Sequence, residues 1–176
     1  WCSHEFLLSL YRSVEWLLLM QLQVLLVAGT HGNEINGIWL FEQWEKSSFL
    51  INTHGIKTYS VIGNPEAKKA CKRYIHNDLN RSFLKESSSS VNSSNLEGIR
   101  ANQLVKLYGN KGEKPCQIAL DFHTTTASMG SCLVVYGRRD SDLALAGLIQ
   151  NKLGLPIYLH ESDEKQTGFL VESWPC

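Results

Sequence analysis

The sequence predicts an α/β fold with a largely parallel sheet. Short apolar runs alternate along the chain with segments whose apolar residues recur at helical spacing. Two of those runs, 23–28 and 117–122, lead directly into His31-bearing and His123-bearing turns. Ligands in such sheets gather at the carboxyl ends of strands, so this shared placement predicts one site.

Each element follows from local chemistry. Residues 23–28 are apolar and partly β-branched, which predicts a buried strand. A Gly-containing turn follows, and Ile35, Ile38, Phe41 and Trp44 then recur at the spacing of a helix over 34–44. A second strand is predicted at 57–62, ended by Gly63-Asn64-Pro65. Ser87 to Ser90 form a low-complexity run, expected to be a surface loop. Ser94 and Glu97 are spaced as a capping box, opening a helix that Gly109 stops after Tyr108. Residues 117–122 and 132–136 predict a third and a fourth strand. Residues 140–153 predict an amphipathic helix with Leu145, Leu148, Ile149 and Leu153 on one face and Gly154 as terminator. Short final strands are expected at 156–160 and 169–172. There is no internal repeat.

A chain of 176 residues supports one domain with a real core. Its formal net charge is zero, which argues against nucleic acid or an anionic membrane as partner. Gln21 and Gln23 interrupt the best apolar run, so no membrane span is expected. Cys2, Cys71, Cys116, Cys132 and Cys176 are dispersed without a CxxC pair, which fits a reducing compartment, the cytoplasm, better than a disulfide framework. Residues 1–19 begin without Met and carry Glu5, Arg12 and Glu15, whereas Met20 directly precedes the first strand. The expected organisation is an upstream extension over 1–19 and a catalytic domain over 20–176. A signal peptide is disfavoured, because cleavage after 16–28 would remove the strand that presents His31. Trp174-Pro175-Cys176 directly follows an apolar run, as expected of a fragment.

The chemistry concentrates in Gly29-Thr30-His31-Gly32-Asn33-Glu34. His31 and Glu34 can grip one cation from a single turn, and His123 in Asp121-Phe122-His123-Thr124 supplies a third ligand. Two His and one Glu form an open zinc site, with the fourth position left for water or substrate; a hydrolytic centre has this arrangement, a structural zinc does not. The pair alone also suits a surface His followed by a Glu at a helix N-terminus; the strand-to-turn setting of both segments favours the metal. Two His and a Glu also accept other divalent ions. Asp121 suits a carboxylate that holds the spare N–H of a ligand His, and His31 is the expected recipient across the sheet.

A second cluster runs from Arg73 to Arg81. One Arg aimed at the carbonyl under attack can stabilise its oxyanion; a second, beside Asn80, can hold a carboxylate. Arg73 and Arg81 suit these roles, with Asp78 orienting one of them. Lys68, Lys69 and Lys72 would make the mouth positive. A solvated basic loop fits the same residues, and His76 reads as a loop side chain. Glu172 could take a proton from the attacking water and return it to a leaving amine, although local sequence alone favours a strand-end surface acid.

Together, Gly29–Glu34, Asn64-Pro65, Arg73-Tyr74-Ile75, Asp78-Leu79-Asn80-Arg81, Asp121 to Thr126 and Val171-Glu172 resemble the aspartoacylase and succinylglutamate desuccinylase family. The resemblance covers about 21–175, and Thr124 to Gly130, ending Ser-Met-Gly, is more similar to the aspartoacylase branch. It implies the zinc-carboxypeptidase-like three-layer fold with a mostly parallel mixed sheet. It implies one zinc per chain on His31, Glu34 and His123, Glu172 as general base and acid, Arg73 on the scissile carbonyl, Asn80 and Arg81 on the substrate's α-carboxylate, and Asp121 behind a ligand. The implied reaction is that of an amidohydrolase on a small acidic N-acyl amino acid, N-acetyl-aspartate to acetate and aspartate. A homo-oligomer is compatible.

Two departures stand out. Aspartoacylases have an Arg about ten residues before the catalytic Glu for the substrate's side-chain carboxylate; Ser162 stands there, in an acidic segment where Lys165 is a candidate substitute. The resemblance also implies a β-rich C-terminal region that covers the site and contributes a Tyr, and residues 1–176 are expected to stop short of it. Succinylglutamate, N-acyl aromatic amino acids or a peptide C-terminus are alternative substrates. A truncated zinc-binding domain without turnover is the alternative of a different class.

Overall fold

The computed structural model describes residues 21–47, 55–83, 95–160 and 170–174. The order is β1 (Leu22–Ala28), α1 (Ile35–Lys46), β2 (Ile56–Ile62), α2 (Pro65–Lys69), a 3-10 turn (Leu79–Arg81), α3 (Leu96–Tyr108), β3 (Ile118–Phe122), β4 (Leu133–Val135), α4 (Asp140–Leu153), β5 (Ile157–Leu159) and a last 3-10 turn (Leu170–Ser173). The extension at 1–19, the serine run at 87–90, Ser94, Ser162 and Lys165 lie outside the described residues.

β1 is the centre of a sheet ordered β2-β1-β3, and β4 pairs with β5 in a second sheet. The three pairings among the described residues are all parallel. The register sets Ala28 beside both Ile62 and Phe122, so three strands end at one edge.

Side chains alternate across a strand, and β1 divides its apolar residues between two cores accordingly. On one face Leu25 and Val27 pack with Leu79, Phe83, Ala101, Leu104, Cys116, Leu170 and Trp174. On the other, Leu26 and Ala28 pack with Ile38 and Phe41 of α1, flanked by Trp44 and Phe122. Helical elements thus cover both faces of the sheet, which gives the three-layer zinc-carboxypeptidase-like fold.

Four of the predicted elements depart from the sequence reading in detail. Asn95, not Ser94, caps α3: its side chain accepts from the Gly98 N–H at 2.8 Å. Ile35 is exposed, because α1 turns its Ile38 and Phe41 to the sheet instead. Residues 170–173 form a 3-10 turn, not a strand; the Leu170 N–H donates to the Asn80 side chain at 3.0 Å, not to a strand ladder. An apolar run that short carries no period by which strand and turn could be told apart. Leu148 and Leu153 of α4 are exposed, and Ala146 is its buried residue; periodicity marks a face without showing what covers it.

Among the described residues, no helix is long and apolar enough to cross a membrane. Cys71, Cys116 and Cys132 are free thiols.

Candidate metal centre

The turn after β1 is shaped by two glycines. Gly29 has φ +66°, in the left-handed region that glycine adopts without strain. Gly32 lies against the backbone of α2: a Cβ there would stand 2.0 Å from the carbonyl carbon of Ala67. The Gly32 N–H donates to the Arg73 carbonyl at 3.2 Å. The Glu34 N–H closes the turn on the His31 carbonyl at 3.1 Å, and α1 starts at the next residue.

This turn brings the side chains of His31 and Glu34 together, both buried, with Nδ1 and Oε1 2.6 Å apart. His123 follows β3 directly, and its Nδ1 lies 3.1 Å from Glu34 Oε2. The same oxygen accepts from the Thr124 N–H at 2.6 Å. One carboxylate therefore lies between two imidazoles that come from different strands. Ligand atoms of His31, Glu34 and His123 all fall within 4.8 Å of one another. Zinc bonds N and O ligands at about 2.0–2.2 Å, so tetrahedral ligand atoms stand about 3.5 Å apart. The two imidazole–carboxylate separations, 2.6 and 3.1 Å, are close to that spacing, and the N, N, O donor set suits zinc.

Each imidazole has an acid behind it. His31 Nε2 lies 3.0 Å from Asp78 Oδ1, and His123 Nε2 lies 2.7 Å from Asp121 Oδ2. This corrects the expectation that Asp121 serves His31. Asp121 and His123 are two residues apart in extended chain and so share a face. Both Asp121 oxygens also accept from the buried Thr30 hydroxyl, at 2.9 and 3.0 Å. Such carboxylates fix the tautomer and orientation of a ligand His.

The electrostatics follow the contacts. Burial opposes the charging of His123, but Asp121 and Glu34 outweigh it and push its pKa up to about 10. His31 is likewise raised: burial opposes its charge, and Asp78 and Glu34 prevail. Burial opposes ionisation of Glu34, yet its bonds to His123, His31 and Thr124 hold its carboxyl well below the usual range. Burial also disfavours the Asp78 carboxylate, and His31 more than compensates, lowering it to about 2.

The structure brings the second cluster to the same place. Arg73 donates from Nη2 to Asp78 Oδ2 at 3.2 Å, and its Nη1 lies 3.7 Å from Glu34 Oε1. Asp78 thus does orient an Arg, and it also braces a histidine, which the sequence reading had not assigned to it. Buried Asn80 has its Nδ2 3.0 Å from His123 Nε2, while its Oδ1 accepts from Leu170. Arg81 donates from Nη1 to the Asn80 carbonyl at 2.9 Å. Glu172 belongs to the last turn, two residues past Leu170; its side chain lies outside the described residues. His76 is exposed and stands by Glu97, away from the three ligands. Lys68 pairs with Glu42 at 3.3 Å on the surface.

Sequence reasoning missed three contributors. Thr30 and Thr124 flank the ligands, where their polarity was a signal left unused. Glu97 was read as a capping residue, and its carboxylate instead accepts the backbone N–H groups of Ile75, His76 and Asn77.

Known proteins agree with this architecture. The family model for the succinylglutamate desuccinylase/aspartoacylase catalytic domain matches residues 20–174. A protein of Prochlorococcus marinus (strain NATL2A), named "Probable aspartoacylase", is 81% identical over 156 residues, covering 89% of this chain and 51% of that protein. A protein of Synechococcus sp. (strain CC9605) with the same name is 58% identical over 153 residues, covering 87% and 50%. The crystal structure of murine aminoacylase 3 superposes with a TM-score of 0.72 at 32% identity, covering 88% of this chain and 52% of that one. A succinylglutamate desuccinylase structure from Vibrio parahaemolyticus shares the fold, with a TM-score of 0.58 at 17% identity, over 85% and 52%. The chain spans about half the length of the curated relatives it matches. With its matched family model, its relatives and its three-layer fold in agreement, the chain belongs to the succinylglutamate desuccinylase/aspartoacylase family.

Proposed function

We propose that this chain carries the catalytic centre of a zinc-dependent amidohydrolase that cleaves N-acyl amino acids, with N-acetyl-aspartate as substrate and acetate and aspartate as products. The observation that carries the reading is the convergence of His31, Glu34 and His123, from the ends of two neighbouring strands, around one small volume. The same names on relatives that share most of this chain support the substrate class.

His31, Glu34 and His123 would hold the ion, with Asp78 and Asp121 fixing the two imidazoles. When bound, zinc supplies Lewis acidity, polarising a carbonyl and making water a better nucleophile at neutral pH. Arg73 is half exposed beside Glu34, where its guanidinium can face the carbonyl oxygen as negative charge develops there. Arg81 and Asn80 hold the substrate α-carboxylate; the Asn80 Oδ1 accepts from Leu170, which leaves its NH2 as the group that donates to substrate. Glu172 takes the proton of the attacking water and delivers it to the departing amine. The bond between Leu170 and Asn80 supports this role, since it ties the backbone that bears Glu172 to a residue touching His123. The free thiols support a reducing, cytoplasmic setting.

The test starts with metal content and affinity of this chain beside Glu34→Ala and His123→Ala. One tightly held zinc, lost in both variants, supports the three-ligand site. A substrate panel of N-acetyl-aspartate, N-succinyl-glutamate and N-acetylated aromatic amino acids, run on a chain of the relatives' length, then identifies the acyl amino acid. Absence of stoichiometric zinc from folded protein would overturn the metal reading and leave a domain without turnover.

A further inference from the structure

The mechanism makes no use of Glu97, although its side chain is fully buried. A buried carboxylate is costly unless strong hydrogen bonds replace its water. Here they do. Glu97 Oε1 accepts from the Ile75 N–H at 2.7 Å and from Asn64 Nδ2 at 3.2 Å. Its Oε2 accepts from the His76 N–H at 3.2 Å and the Asn77 N–H at 3.3 Å. Three successive backbone donors thus converge on one anion, and these bonds keep the carboxyl below its ordinary range against the burial that opposes its charge.

The gathered turn is short, and site residues flank it at both ends. Arg73 lies two residues before Ile75, and its carbonyl accepts from Gly32 in the ligand-bearing turn. Asp78 directly follows Asn77 and meets both His31 and Arg73. Asn64, the fourth donor, is tied to the same place: its N–H donates to the Gly29 carbonyl at 2.9 Å. The anchor itself sits on α3, which contributes no side chain to the ligand set.

We propose that Glu97 is a positioning residue: its carboxylate fixes the turn 73–78 from behind, so that Asp78 meets His31 and Arg73 meets Glu34. The placement stands on geometry alone, and its effect on zinc rests on the metal reading above. Glu97→Gln keeps the shape but puts an NH2 where an acceptor oxygen received backbone donors. In metal-free protein, the Ile75, His76 and Asn77 amide protons should exchange at least about tenfold faster. The ¹⁵N signal of His31 Nε2 should move as its contact with Asp78 loosens. Zinc affinity should fall about tenfold, the size of effect seen when a ligand His loses its partner. In an Asp78→Asn background the same substitution should change affinity less than about threefold, because the route is already broken.

An unchanged His31 Nε2 signal alongside altered amides would overturn the proposal and leave Glu97 a purely local anchor. An equal affinity loss in both backgrounds would overturn it as well. Should Glu97→Gln fail to fold, Glu97→Asp, which keeps the charge but withdraws it by one methylene, carries the same measurements. A wild-type chain that holds no zinc would sink the metal reading, and the His31 signal in metal-free protein would still decide the role of Glu97.

Discussion

Asp78 and His31 meet at 3.0 Å between Oδ1 and Nε2, while the other Asp78 oxygen accepts from Arg73. One carboxylate therefore braces a metal-ligand candidate and aims the arginine assigned to the scissile carbonyl. Asp78→Asn should weaken zinc binding by roughly 10- to 100-fold, the range for loss of a carboxylate behind a ligand histidine. Competition with a chromogenic chelator measures this directly. Affinity unchanged within a factor of two would show that Asp78 serves Arg73 alone.

Zinc affinity should rise with pH. The raised pKa values of His31 and His123, the latter about 10, mean that the metal-free site holds protons near neutrality. Zinc binds neutral imidazole, so binding must displace those protons. Calorimetry in buffers of differing ionisation enthalpy should register proton release at pH 7, with tighter binding at pH 8 than at pH 6. No release would mean that the ion sits elsewhere.

Stability of the metal-free chain should follow the opposite sign for the same histidine. A folded-state pKa raised from 6.5 to about 10 gives His123 a stabilising contribution that is complete below pH 6.5 and lost as pH rises towards 10. Glu34, with its pKa lowered from 4.5, contributes above pH 4.5 and loses that contribution on acidification. Urea midpoints should therefore be highest between about pH 4.5 and 6.5 for these two groups, and the alkaline decline should shrink in His123→Ala. An equal alkaline decline in that variant would assign it to other groups.

The two arginines should separate in kinetics on a chain of the relatives' length. Arg73→Ala should lower kcat by about 10²–10³, as expected for loss of a donor to a developing oxyanion. Arg81→Ala should mainly raise KM, since its target charge is the same in ground and transition state. Glu172→Ala should remove turnover while leaving zinc bound. Near-normal turnover in that last variant would make the proposed proton path wrong.

Gly32→Ala should damage the site without touching a ligand. Its Cβ would stand 2.0 Å from the Ala67 carbonyl carbon, which is backbone and cannot rotate away. Overpacking of this kind costs about 1–3 kcal/mol or more. Thermal unfolding and zinc affinity should both suffer. A variant with wild-type values for both would show that α2 yields freely.

Much of the site was legible in the sequence because its chemistry is local. His31 and Glu34 share one turn, His123 follows a strand, and the placement of both at strand ends needs only the α/β pattern. The predicted range 140–153 coincides with α4, where a left-handed Gly154 ends the helix. What stayed hidden was which carboxylate reaches which ring. Asp121 and Asp78 were both visible as acids, but Asp121 reaches the ring two residues ahead of it on its own strand end, and the pairing of Asp78 with His31 depends on the turn that Glu97 gathers. The strand expected at 169–172 failed for a related reason. A short apolar run is shaped by the partner it finds, and Leu170 finds the side chain of Asn80.

The carboxylate of Glu34 spans from His31, three residues before it, to Thr124, ninety residues after it. The site therefore joins a local turn to residues that the chain supplies ninety positions later. An ion captured by all three side chains would act as a clasp across that interval, tying two distant stretches of polypeptide and adding its binding free energy to the folded state. Zinc would then raise the stability of the fold itself, before any substrate is met.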